Sequence, residues 1–178
     1  MTATVLDNMF FLLVHTMIHT ASGLPQMVMP RYPTFLSRPN EVLLVPWRTA
    51  GIVLHVAGLV TVADYRKTLI VVSSLGPMYE QSDYDYMLNL ADGAIGASVL
   101  CLILTTLGFF SGRSIQSHMM NLIHALCHTI AGVLFMCIWV YDSHVMRMWH
   151  VWYFFGLVPA VLEVAVVGAS YYRGAVMW

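Results

Sequence analysis

Long uncharged apolar runs constrain this chain more than any other feature. At least three stretches of the 178-residue sequence hold about 20 predominantly apolar residues. A helix needs about that length to cross the hydrocarbon core of a bilayer. The composition, 59% hydrophobic and only 10% charged, also departs from that of an ordinary soluble domain. The sequence therefore predicts an all-α polytopic membrane protein.

Four spans are predicted, and together they form a four-helix transmembrane bundle. They cover residues 46–63, 87–110, 117–141 and 149–172. Short connections follow the second and third spans, so the last three helices are expected to be antiparallel neighbours. Residues 68–74 are β-branched and apolar, and residues 76–86 are acidic and rich in turn-forming residues. We predict a connection at the membrane surface there.

The N-terminal part is predicted to be separate from this four-span domain. Residues 9–21 are apolar but are interrupted by His15 and His19, and their length favours an interfacial or re-entrant helix over a fifth span. A linker rich in proline and arginine follows. We therefore divide the chain into residues 1–42 and the four-span domain 43–178. No basic residue precedes Arg31, so neither a cleaved signal nor a transit peptide is expected.

The basic residues set the predicted orientation. Trp47 and Arg48 are expected at the level of the lipid headgroups. With four spans, five basic residues fall on one side of the membrane: Arg31, Arg38, Arg48, Arg113 and Arg173. Three fall on the other: Arg66, Lys67 and Arg147. Since basic loops stay inside, both ends of the four-span domain are predicted to lie inside.

Two acids, Asp92 and Glu163, lie within predicted spans. A carboxylate in hydrocarbon must be protonated, hidden or paired. A proton or ion relay is one interpretation. Two acids without a buried lysine favour a structural role, with a histidine as the partner. Pro159, one turn before Glu163, cannot donate to the carbonyl of Phe155, so a local kink is expected.

The eight histidines raise the question of a cofactor. His124 and His128 are four residues apart and share a helix face. A haem held by two imidazoles would take His55 and His128 as its candidate ligands. No haem-attachment or metal-ligand spacing accompanies them. Hydrogen bonds to neighbouring helices are therefore the favoured role, and we expect no cofactor and no metal.

Other residue patterns favour packing over chemistry. Gly93 and Ala97 are four residues apart, as small residues at close helix contacts often are. The same spacing joins Ala94 to Ser98 and Ala165 to Ala169. The cysteines, which form neither a disulfide framework nor a zinc motif, are Cys101, Cys127 and Cys137. No catalytic signature is present, so neither enzyme activity nor a small-molecule substrate is predicted. A net charge of −1 makes nucleic acid an unexpected partner.

Several short motifs occur together in one order. They are LVPWR at 44–48 with His55 after it, GFFSG at 108–112, NLIHALCH ending at His128, then Trp149, and PAVLEV at 159–164. In this order and spacing the chain, from about residue 43 to 178, resembles the transmembrane protein 107 family. That is a small tetraspan family of the ciliary transition zone. The resemblance implies a non-enzymatic membrane component of the Meckel–Gruber module, which recruits partners and helps to control which membrane proteins enter the cilium.

Two other functions stay open. One is a structural accessory subunit of a large complex of the mitochondrial inner membrane, such as a respiratory supercomplex or ATP synthase. The other is a haem- or proton-handling membrane protein. The expected partners are other membrane-protein subunits of a larger complex, together with lipids.

Overall fold

The computed structural model describes residues 40–112 and 114–172. All of them belong to the compact unit Arg38–Trp178. The predicted N-terminal helix with His15 and His19 lies outside the described residues, as do most of the linker and the last six residues of the chain.

The described residues form four helices that are long and apolar enough to cross a membrane. We label them α1 (Asn40–Ser74), α2 (Gln81–Phe110), α3 (His118–Val140) and α4 (Met146–Tyr172). No strand occurs among these residues. The predicted all-α architecture with four spans is confirmed.

Helix α1 is longer than the predicted first span at both ends. It begins with the π-helical turn Asn40–Leu44 and ends with the π-helical turn Ile70–Ser74. The prediction of a surface connection over residues 68–74 was wrong. Leu69 and Ile70 are fully buried in the hydrophobic core, and this packing outweighs the weak helix propensity of the β-branched residues.

Helix α2 starts earlier than predicted because its acids cap it. The Glu80 carboxylate accepts from the backbone N–H of Asp83, and the Asp83 carboxylate accepts from the backbone N–H of Glu80. This reciprocal arrangement satisfies donors that the first turn of a helix leaves without partners. Residues 81–86, expected in the connection, are therefore part of the helix.

Helix α4 contains one wide turn. The π-helical segment Trp152–Leu157 lies immediately before the α-helix Val158–Tyr172. Pro159 has no N–H to donate to Phe155, so the chain cannot form a regular α-helical turn there. The irregularity lies where Pro159 predicted it.

Helices α1 and α3 approach each other most closely at glycines. A Cβ atom on Gly58 would lie 2.7 Å from the carbonyl oxygen of Gly132, and one on Gly51 would lie 3.0 Å from the Thr129 hydroxyl oxygen. Among the small residues singled out from the sequence, Gly93 lies beside Trp149 and Ala97 is half-buried. Ala94 and Ser98 are buried in α2.

The outer surface of the bundle is apolar, and its interior combines a hydrophobic core with a group of buried polar side chains. Large hydrophobic side chains such as Val53, Val60 and Leu107 are exposed on its outer surface. Such a surface suits lipid. The interior holds these polar side chains: Arg48, Ser114, Asn121, His55, His124, His128 and Glu163.

Candidate functional site

A buried ion pair joins α1 to α4. Arg48 Nη2 lies 3.0 Å from Glu163 Oε2, and the two side chains are 0% and 1% exposed. Arg48 Nη1 also donates to Ser114 Oγ at 3.1 Å and to Asn121 Oδ1 at 3.0 Å. This side chain is held inside the bundle by partners from three other parts of the chain, so it contacts protein rather than the lipid headgroups; its predicted depth in the membrane stays a prediction.

The burial of Arg48 also changes the argument on orientation. A guanidinium paired inside the bundle is not a loop charge of the kind that sets topology. The remaining basic residues divide four against three, with Arg66, Lys67 and Arg147 on the minority side. The predicted direction is unchanged.

Glu163 has a second neighbour on α3. His124 Nε2 lies 3.0 Å from the same oxygen, within ion-pair distance but without the directionality of a hydrogen bond. A histidine is therefore close to the carboxylate, as the sequence predicted. Gly108 of α2 gives the carboxylate its space, since a Cβ atom at that position would overlap the Glu163 side chain.

Arg48, Glu163, His124 and Ser114 form a buried polar cluster. Two asparagines extend this cluster to one end of the bundle. Asn121 Nδ2 donates to Asn40 Oδ1 at 2.7 Å and to the carbonyl oxygen of Ile115 at 2.6 Å. Asn40 Nδ2 donates to the same carbonyl, also at 2.6 Å. The start of α1 is thereby tied to α3 and to the connection between α2 and α3.

The other end of the cluster is a pair of histidines. His55 Nδ1 and His128 Nδ1 are 3.0 Å apart, and the ring centroids are separated by 5.3 Å. Axial haem ligands must leave room for the iron and the porphyrin between their nitrogens. Because these two rings contact each other directly, the pair does not fit a haem. Within the described part of the chain, no group of three His, Cys, Asp or Glu residues is placed to hold a metal.

The cluster stops within the bundle. The Phe135 ring stacks on His55 with 5.6 Å between the ring centroids. Beyond His55, the buried residues of α1 are Gly58, Leu59, Val62, Leu69 and Ile70. The described residues therefore form a polar chain from Asn40 to the histidine pair, followed by an apolar layer, and not a path across the membrane.

Asp92 is not part of this cluster. Its side chain is 50% exposed, and its Oδ1 lies 2.6 Å from Nε of Arg66. Nearby, Trp149 Nε1 donates to the carbonyl oxygen of Leu90 at 3.0 Å. The two acids that the sequence placed in spans thus have different surroundings. Only Glu163 is fully buried.

Sequence reasoning singled out Arg48 but did not pair it with Glu163, and it missed Ser114, Asn121 and Gly108 as members of the cluster. One signal for Asn121 was present, because residues 121, 124 and 128 are spaced so that they share one face of α3. Arg48 and His55 are likewise seven residues apart and share a face of α1. Polar residues that repeat on one face of an apolar helix indicate an inward stripe.

Comparison with known proteins identifies the family. The sequence model of the transmembrane protein 107 family, whose description is "transmembrane protein", matches residues 44–167. The chain belongs to this family. The matched segment contains Arg48, His55, His124, His128 and Glu163, so the core of the cluster lies in the family region, whereas Asn40 precedes it. No curated protein and no solved structure matches the chain. The protein is an integral membrane protein of the transmembrane protein 107 family.

Proposed function

We propose that the protein is a non-catalytic membrane scaffold of the ciliary transition zone, which recruits other membrane proteins and contributes to the control of their entry into the cilium. The match to the transmembrane protein 107 family supports the location. The proposal extends to partners: other membrane-protein subunits and lipids would cover the outer surface of the bundle.

The arrangement of Arg48, Glu163 and His124 is the observation that supports a scaffold without catalytic activity. Each of these side chains is at most 1% exposed and contacts another member of the cluster. Charges that bind a substrate must be reachable from outside, whereas these are engaged with one another. An ion pair linked in this way connects helices and favours a single packing of the bundle.

The outer surface supports a role in assembly. Exposed valine, leucine and phenylalanine side chains cover the lipid-facing sides of α1 and α2, including Val53, Val60, Leu107 and Phe110. In a bilayer such helices associate by close packing with other helices and with lipid chains. A small tetraspan bundle offers this surface without needing a soluble domain.

Imaging and co-purification test the proposal. The tagged full-length protein should colocalise with a transition-zone marker at the base of the cilium. Purification in mild detergent should recover other membrane proteins of that zone. Signal confined to the mitochondrial inner membrane, with respiratory-chain or ATP-synthase subunits as the co-purifying proteins, would instead support the alternative of an accessory subunit.

A matched pair of variants separates folding from recruitment. Glu163→Leu removes a buried partner of Arg48, and Asp92→Asn removes an exposed one of Arg66. We expect Glu163→Leu to lose both stability and partners and Asp92→Asn to keep the partners. Retention of all partners by an unstable Glu163→Leu protein would show that recruitment does not need the ordered bundle.

A further inference from the structure

The contact between His55 and His128 imposes a chemical condition. Their Nδ1 atoms are 3.0 Å apart, so one must carry a hydrogen and the other a lone pair. A neutral pair therefore combines one Nδ1–H tautomer with one Nε2–H tautomer. In the first of these rings, Nε2 is a bare lone pair. Both Nε2 atoms are buried and have no hydrogen-bond partner among the described residues.

We propose that the His55–His128 pair is a proton-binding site that controls how tightly α1 packs against α3. The incoming proton would bond to the lone pair of the bare Nε2 and convert that ring to an imidazolium. The Nδ1–H···Nδ1 hydrogen bond survives this step, because the protonated ring is already its donor. The change is one added positive charge inside the bundle.

The other buried ionisable side chains do not neutralise this charge. Among the described residues they are Arg48 on the same helix, His124 on α3, Glu163 on α4 and Cys101 on α2. Glu163 already balances Arg48. His124, whose ring centroid is 5.7 Å from that of His128, is not an anion. Ser114, from the connection between α2 and α3, is buried but carries no charge.

An uncompensated charge in this position works against the closed packing. Burying a cation without a counter-ion costs several kcal/mol, and entry of water lowers that cost. His55 lies between Gly51 and Gly58, where α1 and α3 are in backbone contact. Loosening of these contacts would let water reach the ring. Proton uptake and separation of α1 from α3 are therefore coupled, and by linkage the closed bundle loses stability as the pH falls.

The inference rests on the geometry of the pair and not on the ciliary role. The asparagines, Ser114 and the ion pair lie between the pair and one end of the bundle, so the polar side of the site faces that end. Phe135 closes the other side. The site would therefore respond to the pH on one side of the membrane.

Distance measurements between α1 and α3 test the proposal. The full-length protein, with its cysteines replaced by alanine, is spin-labelled at Val60→Cys and Val133→Cys, both exposed on the outer surface, and reconstituted into lipid nanodiscs. Between pH of about 7.5 and about 5.5, the range in which histidines commonly titrate, we expect a longer-distance population to appear. His55→Gln and His128→Gln should each abolish this change. His144→Gln combined with His150→Gln, at exposed positions, should leave it intact.

Each outcome of these measurements either supports or overturns the proton-binding proposal. Unchanged distances in the wild-type protein would overturn the proposal, as would an acid response that persists in both glutamine variants. If those variants do not fold, the wild-type and exposed-histidine proteins still test it. Both should lose about 5 °C or more of melting temperature on acidification, which corresponds to a change of a few kcal/mol for a chain of this size. Loss of the response in the exposed-histidine variant would assign it to the surface and overturn the proposal.

Discussion

Glu163 is shared between a guanidinium and an imidazole, and its charge determines what the buried cluster contributes to stability. Two partners within 3.0 Å of one oxygen favour the ionised carboxylate, paired with Arg48. A buried pair of this kind is weak as a source of net stability but is costly to break. Its main effect is to exclude packings that separate the two charges.

We expect Glu163→Gln to destabilise the protein by about 3–5 kcal/mol, because it leaves the guanidinium of Arg48 buried without a counter-ion. The double variant Arg48→Met with Glu163→Leu removes both charges and should lose much less. Reversible unfolding in mixed micelles measures both. If Glu163→Gln is as stable as the wild-type protein, the carboxyl group is neutral in the native state.

Gly108→Ala should destabilise by about 1–3 kcal/mol, the usual cost of overpacking. The added methyl group would overlap the Glu163 side chain, which cannot move away without breaking its contact with Arg48. Gly96→Ala on the same helix is the control. Its Cβ atom would meet nothing within 4 Å, so a gain of up to about 1 kcal/mol from helix propensity is expected. Equal effects of the two substitutions would disprove the steric argument.

At the level of residues, the sequence predicted part of the cluster. A histidine near Glu163 follows from the need of a buried carboxylate for a partner, and the structure places His124 there. The pairing of Arg48 with Glu163 could not be predicted in the same way. An arginine beside a tryptophan at the start of a span usually lies at the interface, and its burial depends on Glu163, 115 residues further along the chain.

At the level of elements, the close approach of α1 to α3 requires glycines. Gly58→Ala should destabilise by at least about 1–3 kcal/mol, because its Cβ atom would lie 2.7 Å from a backbone oxygen that cannot rotate away. Gly168→Ala on α4, at an open position, is the matched control. Thermal unfolding of the two variants in one detergent gives the comparison. A neutral Gly58→Ala would mean that α1 can shift away from α3 at little cost.

The existence of the four spans was predictable, and so were the end of α2, both ends of α3 to within one residue and the end of α4. Apolar length alone identifies a helix that must satisfy its backbone groups inside a membrane. The ends of α1 and the start of α2 were not predictable, because they depend on contacts that a linear pattern does not contain. Leu69 and Ile70 continue α1 because they are buried, and Glu80 with Asp83 starts α2 through side-chain caps. A β-branched run and an acidic run therefore both belong to helices.

At the level of the whole molecule, the outer surface is apolar and the buried charges are unevenly distributed along the bundle axis. Arg48, Glu163 and the buried histidines lie between the asparagine end and the histidine pair, and a hydrophobic core occupies much of the rest of the interior. The distribution of basic residues in the sequence predicts that the asparagine end lies on the inner side. The cluster therefore faces the compartment where the ends of the four-span domain are predicted to lie.

This orientation makes a prediction about labelling. Single cysteines are introduced at Gly76 and Gln116, which are exposed in the first and second connections, into a chain whose three cysteines are replaced by alanine. In intact cells that display the protein at the plasma membrane, an impermeant maleimide should label Gly76→Cys. It should label Gln116→Cys only after permeabilisation, because one complete span separates the two positions.

A third position distinguishes a reversed bundle from an incomplete one. Met146→Cys, exposed near the start of α4, should behave like Gly76→Cys because α2 and α3 together return the chain to the same side. If Gln116→Cys alone is labelled in intact cells, the bundle is inverted and the cluster faces outward. If Gly76→Cys and Gln116→Cys react alike, α2 does not cross the membrane. That result would contradict this bundle structure, in which Gly108 of a membrane-spanning α2 packs beside Glu163.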